Sequence, residues 1–430
     1  MTFKFSTTTI LVVLAPVILT TDSSTFLKQW SDIQGRNLHK ETQETSRKQR
    51  SSSPLSLILL PDEYETQRCL DGTPFGYYIR RSNSINNSKK WIIFLQGGGL
   101  CVEPIDCINR KNGDKGSSLF WGDTLEPGSS GLQDIVSDNP ELNPYFYDFN
   151  HIYLRYCSGD TWTGTRTSFD AFGLWFSGHN NLEATIDHLN KTQNLREASH
   201  VLLVGDSAGG IGVFNNADYF REKWISQSTN FKAAPVSGMY FPGEVVLYPE
   251  YILGITTPFN PIASAYLSSW YGSAHDETCL DGTHIGEHHR CWDASYLYNF
   301  VDTRLFVLQN RFDGSISEDV LLCPYGHIQN NSTESFIKLF GDITAKGLAD
   351  TVQSERGIRK GDGLFSPSCL SHTGDFCIQG GPTLQERKVG DMIANWFSED
   401  DPIVSSTFQE VDMCNDNEGT RLPCNTYCQC

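Results

Sequence analysis

The stretch His200-Val201-Leu202-Leu203-Val204-Gly205-Asp206-Ser207-Ala208-Gly209-Gly210 decides the fold. Its apolar run shows no alternation, as a strand covered on both faces should. It breaks into a Gly-x-Ser-x-Gly turn, and Val213, Phe214, Ala217, Phe220 and Trp224 then follow at helical spacing. Strand, tight turn and helix together expose the serine hydroxyl at the tip of the turn, where side chains on the flanking glycines would collide with backbone. The helix behind it presents free N–H groups and a positive dipole end toward the reacting centre. Ser207 is therefore the candidate nucleophile.

Working outward, the same pattern of apolar run and glycine-rich or polar turn recurs. Trp91–Leu95 runs into Gln96-Gly97-Gly98-Gly99, His151–Tyr156 into Cys157-Ser158-Gly159-Asp160, and Leu305–Gln309 into Asn310-Arg311-Phe312-Asp313. Leu182, Ile186 and Leu189 mark a helix between two of these runs. Alternating buried strands and helices predict an α/β fold with a mostly parallel sheet covered by helices. Chemistry in such sheets collects at the carboxyl ends of the strands, where these turns sit.

A serine hydroxyl needs a base, and the base needs an orienting acid, in chain order serine, acid, histidine for this kind of turn. Asp313, at the end of the Leu305–Phe312 run, is the candidate acid. His372, in Cys369-Leu370-Ser371-His372-Thr373-Gly374, is the candidate base. His327 and the His288-His289 pair compete with it, the latter in a polar loop between two cysteines. The oxyanion donors expected are the N–H of Ala208 and those of Gly98 and Gly99, each such donor being worth about 10²–10³ in rate. No metal or cofactor is expected. His284 and His288 stand four apart, but Gly286 between them disfavours a helix, and no Glu follows the first His directly.

The composition limits the alternatives. The chain has 430 residues with 33 Lys plus Arg against 51 Asp plus Glu, a net charge of −18 that argues against gripping nucleic acid. Aromatic residues at 12% and charged residues at 20% supply a core and exclude a disordered chain. A mean hydropathy of −0.34 excludes a multi-span membrane protein. Lys4, the apolar run Ile10–Leu19, itself too short to span a bilayer, and the small polar exit after it predict a secretory signal peptide over 1–22. Residues 23–56 read as a flexible polar leader, and 57–430 as a single domain with a Cys-rich tail. Sequons at Asn86, Asn190, Asn330 and Asn331 are glycosylation candidates. Thirteen scattered cysteines suit disulfides in an oxidising compartment. Close spacing suggests the pairs Cys101–Cys107 and Cys279–Cys291, and the odd number suggests one free thiol, with Cys430 favoured.

The ordered runs Phe94–Cys101, Asn143-Pro144-Tyr145, Tyr156–Gly164, Gly205–Gly210, Cys369–His372 and Pro423-Cys424-Asn425 with Cys428 resemble the Notum and pectin acetylesterase family. The resemblance spans roughly Cys69 to Cys428. It implies a secreted α/β-hydrolase with disulfide-stapled loops, a triad on Ser207, Asp313 and His372, and an oxyanion hole at Gly98, Gly99 and Ala208. Asp160-Thr161-Trp162, Phe312-Asp313 and Cys369–His372 look closer to Notum, which removes palmitoleate from Wnt ligands. Gly99-Leu100 departs from Notum, which carries two large aromatics after Gly-Gly, and three glycines look more like the pectin enzymes. The partners implied are a lipidated Wnt-like protein or an acetylated polysaccharide, with glycan contact at the cell surface as a further option. Leu100, Met239, Tyr240 and Phe241 are candidates for an acyl pocket. Burying a dozen methylenes is worth roughly 10 kcal/mol, against about one for an acetyl methyl, so chain length would be read by pocket depth. A reading of another class is an inactive lipid- or glycan-binding protein on the same scaffold.

Overall fold

The apolar runs that end near Leu95, Leu154 and Val204 lie side by side at the centre of one sheet. The computed structural model describes residues 52–128, 131–241, 261–315 and 331–413, with Cys424, Asn425, Cys428 and Cys430. Its first strands are β1 (Leu55–Leu59), β2 (Gly76–Arg80), β3 (Lys90–Leu95), β4 (Thr124–Leu125), β5 (Asn150–Leu154) and β6 (His200–Asp206). Then follow β7 (Asn230–Val236), β8 (Phe306–Leu308), β9 (Gly363–Ser366), β10 (Thr383–Leu384), β11 (Arg387–Lys388) and β12 (Gln409–Val411). Ten of them form one sheet in the order β4-β1-β2-β5-β3-β6-β7-β8-β9-β12, while β10 and β11 pair separately. Every neighbouring pair from β5 to β12 is parallel, and β2, β1 and β4 close one edge antiparallel. The architecture is α/β-hydrolase-like, with helices on the sheet and disulfide-stapled loops.

The order places the chemistry. From β3 the chain moves outward to β5 and then returns past β3 to β6, so the strand order reverses at β3. A crevice opens at the carboxyl ends of strands at such a reversal. Leu95 pairs with Gly205 and Gly205 with Pro235, which brings the turns after β3, β6 and β7 to one level. The core beneath is continuous: Ile92, Ile93, Phe94, Leu95, Ile152, Leu154 and Val201 to Val204 are fully buried. Each contributes about 1.5–3 kcal/mol when taken from water. The helix Ala208–Lys223 is buried over most of its length rather than on one stripe, because it lies between the sheet and the loops that carry Trp162 and Trp292.

Two readings need correction. The first strand opens at Leu55, inside the stretch read as leader, because Leu55 is fully buried and pairs with Leu125. Cys101 and Cys107 stand as unbonded buried thiols, although the structure brings their sulfurs within 4.8 Å. The backbone of Cys101 is fixed by Gly159 and by the Tyr271 hydroxyl, while Cys107 belongs to the helix Pro104–Arg110. Disulfides join Cys279 to Cys291, Cys69 to Cys157 and Cys369 to Cys428. Cys430 is an exposed thiol, but Cys377 is unbonded as well. Among the described residues, no helix is long and apolar enough to cross a membrane.

Candidate active site

Ser207 sits between the last residue of β6 and the first of the helix Ala208–Lys223, with φ 54° and ψ −119°. A non-glycine residue there stores about 1–3 kcal/mol of backbone strain, which only a well-fixed surrounding can hold. The Ser207 N–H donates to Val236 O at 2.8 Å, and its carbonyl accepts from Ile211 N at 3.0 Å. Crowding explains the glycine after it: a Cβ on Gly209 would lie 2.0 Å from Leu95 O.

His372 and Asp313 arrive from different loops. His372 Nε2 lies 2.8 Å from Ser207 Oγ, and Nδ1 lies 2.9 Å from each oxygen of Asp313. The carboxylate fixes the proton on Nδ1, which leaves Nε2 to accept from the serine hydroxyl. Asp313 is fully buried, whereas the imidazole keeps 21% of its side chain exposed. Asp313 Oδ2 also accepts from Gln309 Nε2 at 3.0 Å, and Gln309 Oε1 accepts from the Met239 N–H at 3.1 Å. The His372 carbonyl accepts from Asn310 Nδ2 at 3.2 Å and from the Ser237 hydroxyl. A hydroxyl, an imidazole and a buried carboxylate so connected can carry out nucleophilic acyl transfer.

The glycine turn lies against this group. Gly97 touches the serine turn, since a Cβ there would lie 2.8 Å from Ser207 Cβ and 2.4 Å from Asp206 O. Gly98 and Gly99 follow with φ of 150° and 70°. The Gly98 carbonyl is held by Arg110 at 2.6 Å, and the Gly97 carbonyl by Lys115 Nζ at 2.9 Å. Ala208 is the first helical residue, so its N–H has no partner within the helix. Burial pushes the Asp206 carboxyl up to about 6 and the Lys115 ammonium down to about 8.

The remaining expected residues are scattered. Met239 is buried in the main core, and its N–H donates to Gln309, which in turn donates to Asp313. Leu100 packs on a second cluster with Cys101, Phe176 and Trp292, and Phe241 against Gly347. Tyr240 donates its hydroxyl to Ser237 O at 2.6 Å. Of the histidines at 284 and 288, His284 Nδ1 accepts from Gly286 N, and His288 Nε2 lies 3.2 Å from Thr283 O. His327 and Asn330 lie outside the described residues, as does the side chain of Asn331. Asn86 is exposed in a turn, while Asn190 is half-buried on its helix beside Trp224. Sequence reasoning missed Lys115, Gln309 and Asn310. Asp206 and Gln309 stood within quoted motifs, but nothing local marks Lys115.

Three comparisons bear on this site. The family model described as Pectinacetylesterase matches residues 47–429. The palmitoleoyl-protein carboxylesterase NOTUM of Schmidtea mediterranea is 30% identical over 313 residues, covering 71% of this chain and 55% of that protein. Pectin acetylesterase 11 of Arabidopsis thaliana is 27% identical over 380 residues, covering 84% of this chain and 88% of that protein. The chain thus spans little more than half the length of the planarian relative. The solved structure of the Wnt deacylase Notum from Drosophila superposes with a TM-score of 0.72 at 24% identity, covering 88% of this chain and 100% of the other. At that identity the likeness is one of fold.

Proposed function

This chain belongs to the pectinacetylesterase family, and from that premise we propose a serine carboxylesterase that works through Ser207, His372 and Asp313. The observation that carries this reading is the unbroken line from Ser207 Oγ through His372 to Asp313, with contacts of 2.8 and 2.9 Å. Ser207 Oγ attacks the ester carbonyl while His372 Nε2 takes its proton. Asp313 holds the tautomer and stabilises the imidazolium that forms. The N–H groups of Gly98, Gly99 and Ala208 receive the tetrahedral oxyanion. His372 then returns the proton to the departing alcohol, and water hydrolyses the acyl-enzyme by the same route. Export to an oxidising compartment is supported by three disulfides among the described residues.

The substrate we propose is a long-chain acyl ester on a secreted signalling protein of the Wnt type. Charge favours a protein over pectin. A polyuronate carries a carboxylate on most of its sugars, and a protein of net charge −18 repels it. One observation favours the acetylated polysaccharide instead: the alignment covers 88% of the plant enzyme, against 55% of planarian Notum.

Hydrolysis of p-nitrophenyl octanoate against p-nitrophenyl acetate tests the choice. The long-chain reading expects octanoate turnover at least comparable to acetate, and activity on acetate alone overturns it. Labelling by a fluorophosphonate tests the nucleophile: the wild type labels and Ser207→Ala does not. Equal labelling of both overturns the assignment of Ser207, and absence of any labelling favours the silent binding protein.

A further inference from the structure

Outside the line of Ser207, His372 and Asp313, the site holds a buried carboxylate next to the serine that the mechanism does not use. Asp206 is 5% exposed and immediately precedes the serine. Its Oδ1 accepts from the Gly97 N–H at 2.6 Å, across the gap between β6 and β3. The Gly97 carbonyl accepts from Lys115 Nζ at 2.9 Å. The peptide units on both sides of Gly97 are thus gripped, at the residue that leads into Gly98 and Gly99. The Lys115 stem also lies along Gly98, whose Cβ would meet its Cδ at 3.0 Å.

The carboxylate makes a second connection. Its Oδ2 presses on Gly131, where a Cβ would lie 2.3 Å away, and Gln133 Nε2 stands 3.4 Å from the same oxygen. Gly131 donates its N–H to Thr373 O at 2.7 Å, next to the base His372. Asp206 therefore borders three loops at once: the serine turn, the glycine turn and the segment that holds the histidine loop. A carboxylate accepts from a backbone N–H more strongly than a neutral group does, which suits it to fixing a glycine-rich turn that has little stiffness of its own.

We propose that Asp206 and Lys115 are positioning residues that clamp Gly97 and thereby aim the Gly98 and Gly99 N–H groups at the oxyanion. This rests on the reading of Ser207 as nucleophile and of the glycine turn as oxyanion hole. Neither residue touches the reacting atoms. Their effect falls on the transition state, where the oxyanion forms, and leaves binding of the ground-state ester unchanged.

The test is steady-state hydrolysis of p-nitrophenyl octanoate or acetate, whichever the wild type turns over, by Asp206→Ala, Asp206→Asn and Lys115→Met. Asp206→Ala is expected to lower kcat by about 10- to 100-fold at unchanged KM, part of the effect of losing a whole donor. Asp206→Asn, whose amide oxygen can still accept from Gly97, is expected to recover to within about threefold of wild type. The clamp is overturned if Asp206→Ala keeps the wild-type kcat, or if Asp206→Asn falls as far as Asp206→Ala. If Asp206→Ala does not fold, Lys115→Met decides, since it keeps the stem and removes the ammonium. A kcat loss at constant KM upholds the clamp, and an unchanged kcat overturns it. Ser207→Ala run alongside separates the two levels. Persistent fluorophosphonate labelling of that variant defeats the underlying reading, whereas its loss beside an unaffected Asp206→Ala defeats the clamp alone.

Discussion

The two ends of the parallel strands partner a buried charge differently. Near the amino end of β7, Lys232 is buried and gives its ammonium protons to the carbonyls of Trp396, Phe397 and Glu399 at 2.9, 3.1 and 2.6 Å. Those carbonyls close the helix Val389–Ser398, the end where a helix carries partial negative charge. At the carboxyl end of β6, Asp206 is just as deeply buried with a single short N–H contact, and burial holds its carboxyl up near 6. Ser207 beside it keeps a positive φ of 54°. One end gives its ion three carbonyl partners, although burial still pushes the Lys232 ammonium down to about 8. The other keeps strain and charge beside the proposed nucleophile, as functional sites do at a cost in stability.

Ser207→Ala is the strongest attempt to break this contrast. Turnover of a p-nitrophenyl ester is expected to fall by about 10⁶-fold, with little change in Tm. Ser207→Gly is expected to be equally inactive yet more stable by about 1 kcal/mol, because glycine accepts the φ that serine resists. A drop in Tm for both variants would mean that the serine turn is structural. Asp313→Asn comes next: kcat is expected to fall about 10⁴-fold, through loss of the correct imidazole tautomer, with unfolding by denaturant nearly unchanged.

The other end should respond in reverse. Lys232→Met takes one donor from each of three carbonyls, of which Trp396 O keeps the Glu399 N–H and Glu399 O keeps Ser405. It is expected to cost about 2–3 kcal/mol in chemical denaturation, while turnover per folded molecule stays at the wild-type value. Lost turnover at intact stability would erase the difference between the two ends. The smallest effect expected is a pH dependence. The folded pKa of Asp206, about 6, lies above its ordinary 3.8, so the folded state holds this proton longer. Stability from this group is full below about pH 4 and is lost as the pH rises through 6. Lys115 and His372 face the carboxylate and act against the upward push of burial, while the neighbouring Tyr153 phenol, pushed well above its ordinary value, stays neutral. Asp206→Asn is thus expected to exceed the wild type by about 1–3 kcal/mol at pH 7 and to match it near pH 4. Thermal melts at the two pH values check this, and a gain confined to pH 4 would reverse the sign.

Much of the scaffold was legible because it is written locally. The runs at Trp91–Leu95 and His200–Val204, and the helix after Ser207, carry their periodicity within a few residues. The antiparallel edge was not: β1, β2 and β4 are partly exposed or very short, and no expectation covered them. Distance along the chain hid other features. Cys69 and Cys157 meet across 88 positions and Cys369 and Cys428 across 59, whereas proximity in sequence suggested Cys101 with Cys107. Lys115 is found only once the turn after β3 is folded over it, since a lone lysine in a polar segment reads as solvated. Ser207, Asp313 and His372 could be picked from strand ends and chain order, and the structure brings the three together. The residues around them, Gln309, Asn310 and Asp206, have roles set by neighbours remote in sequence.

The bridge from Cys369 to Cys428 ties the segment just before His372 to the tail of the chain. During synthesis, the serine turn, its acid and the histidine itself all leave the ribosome before the second half of that bridge does. The loop that bears His372 therefore receives its covalent tie last, by an oxidation event added to the contacts that Asn310, Ser237 and Gly131 make with it.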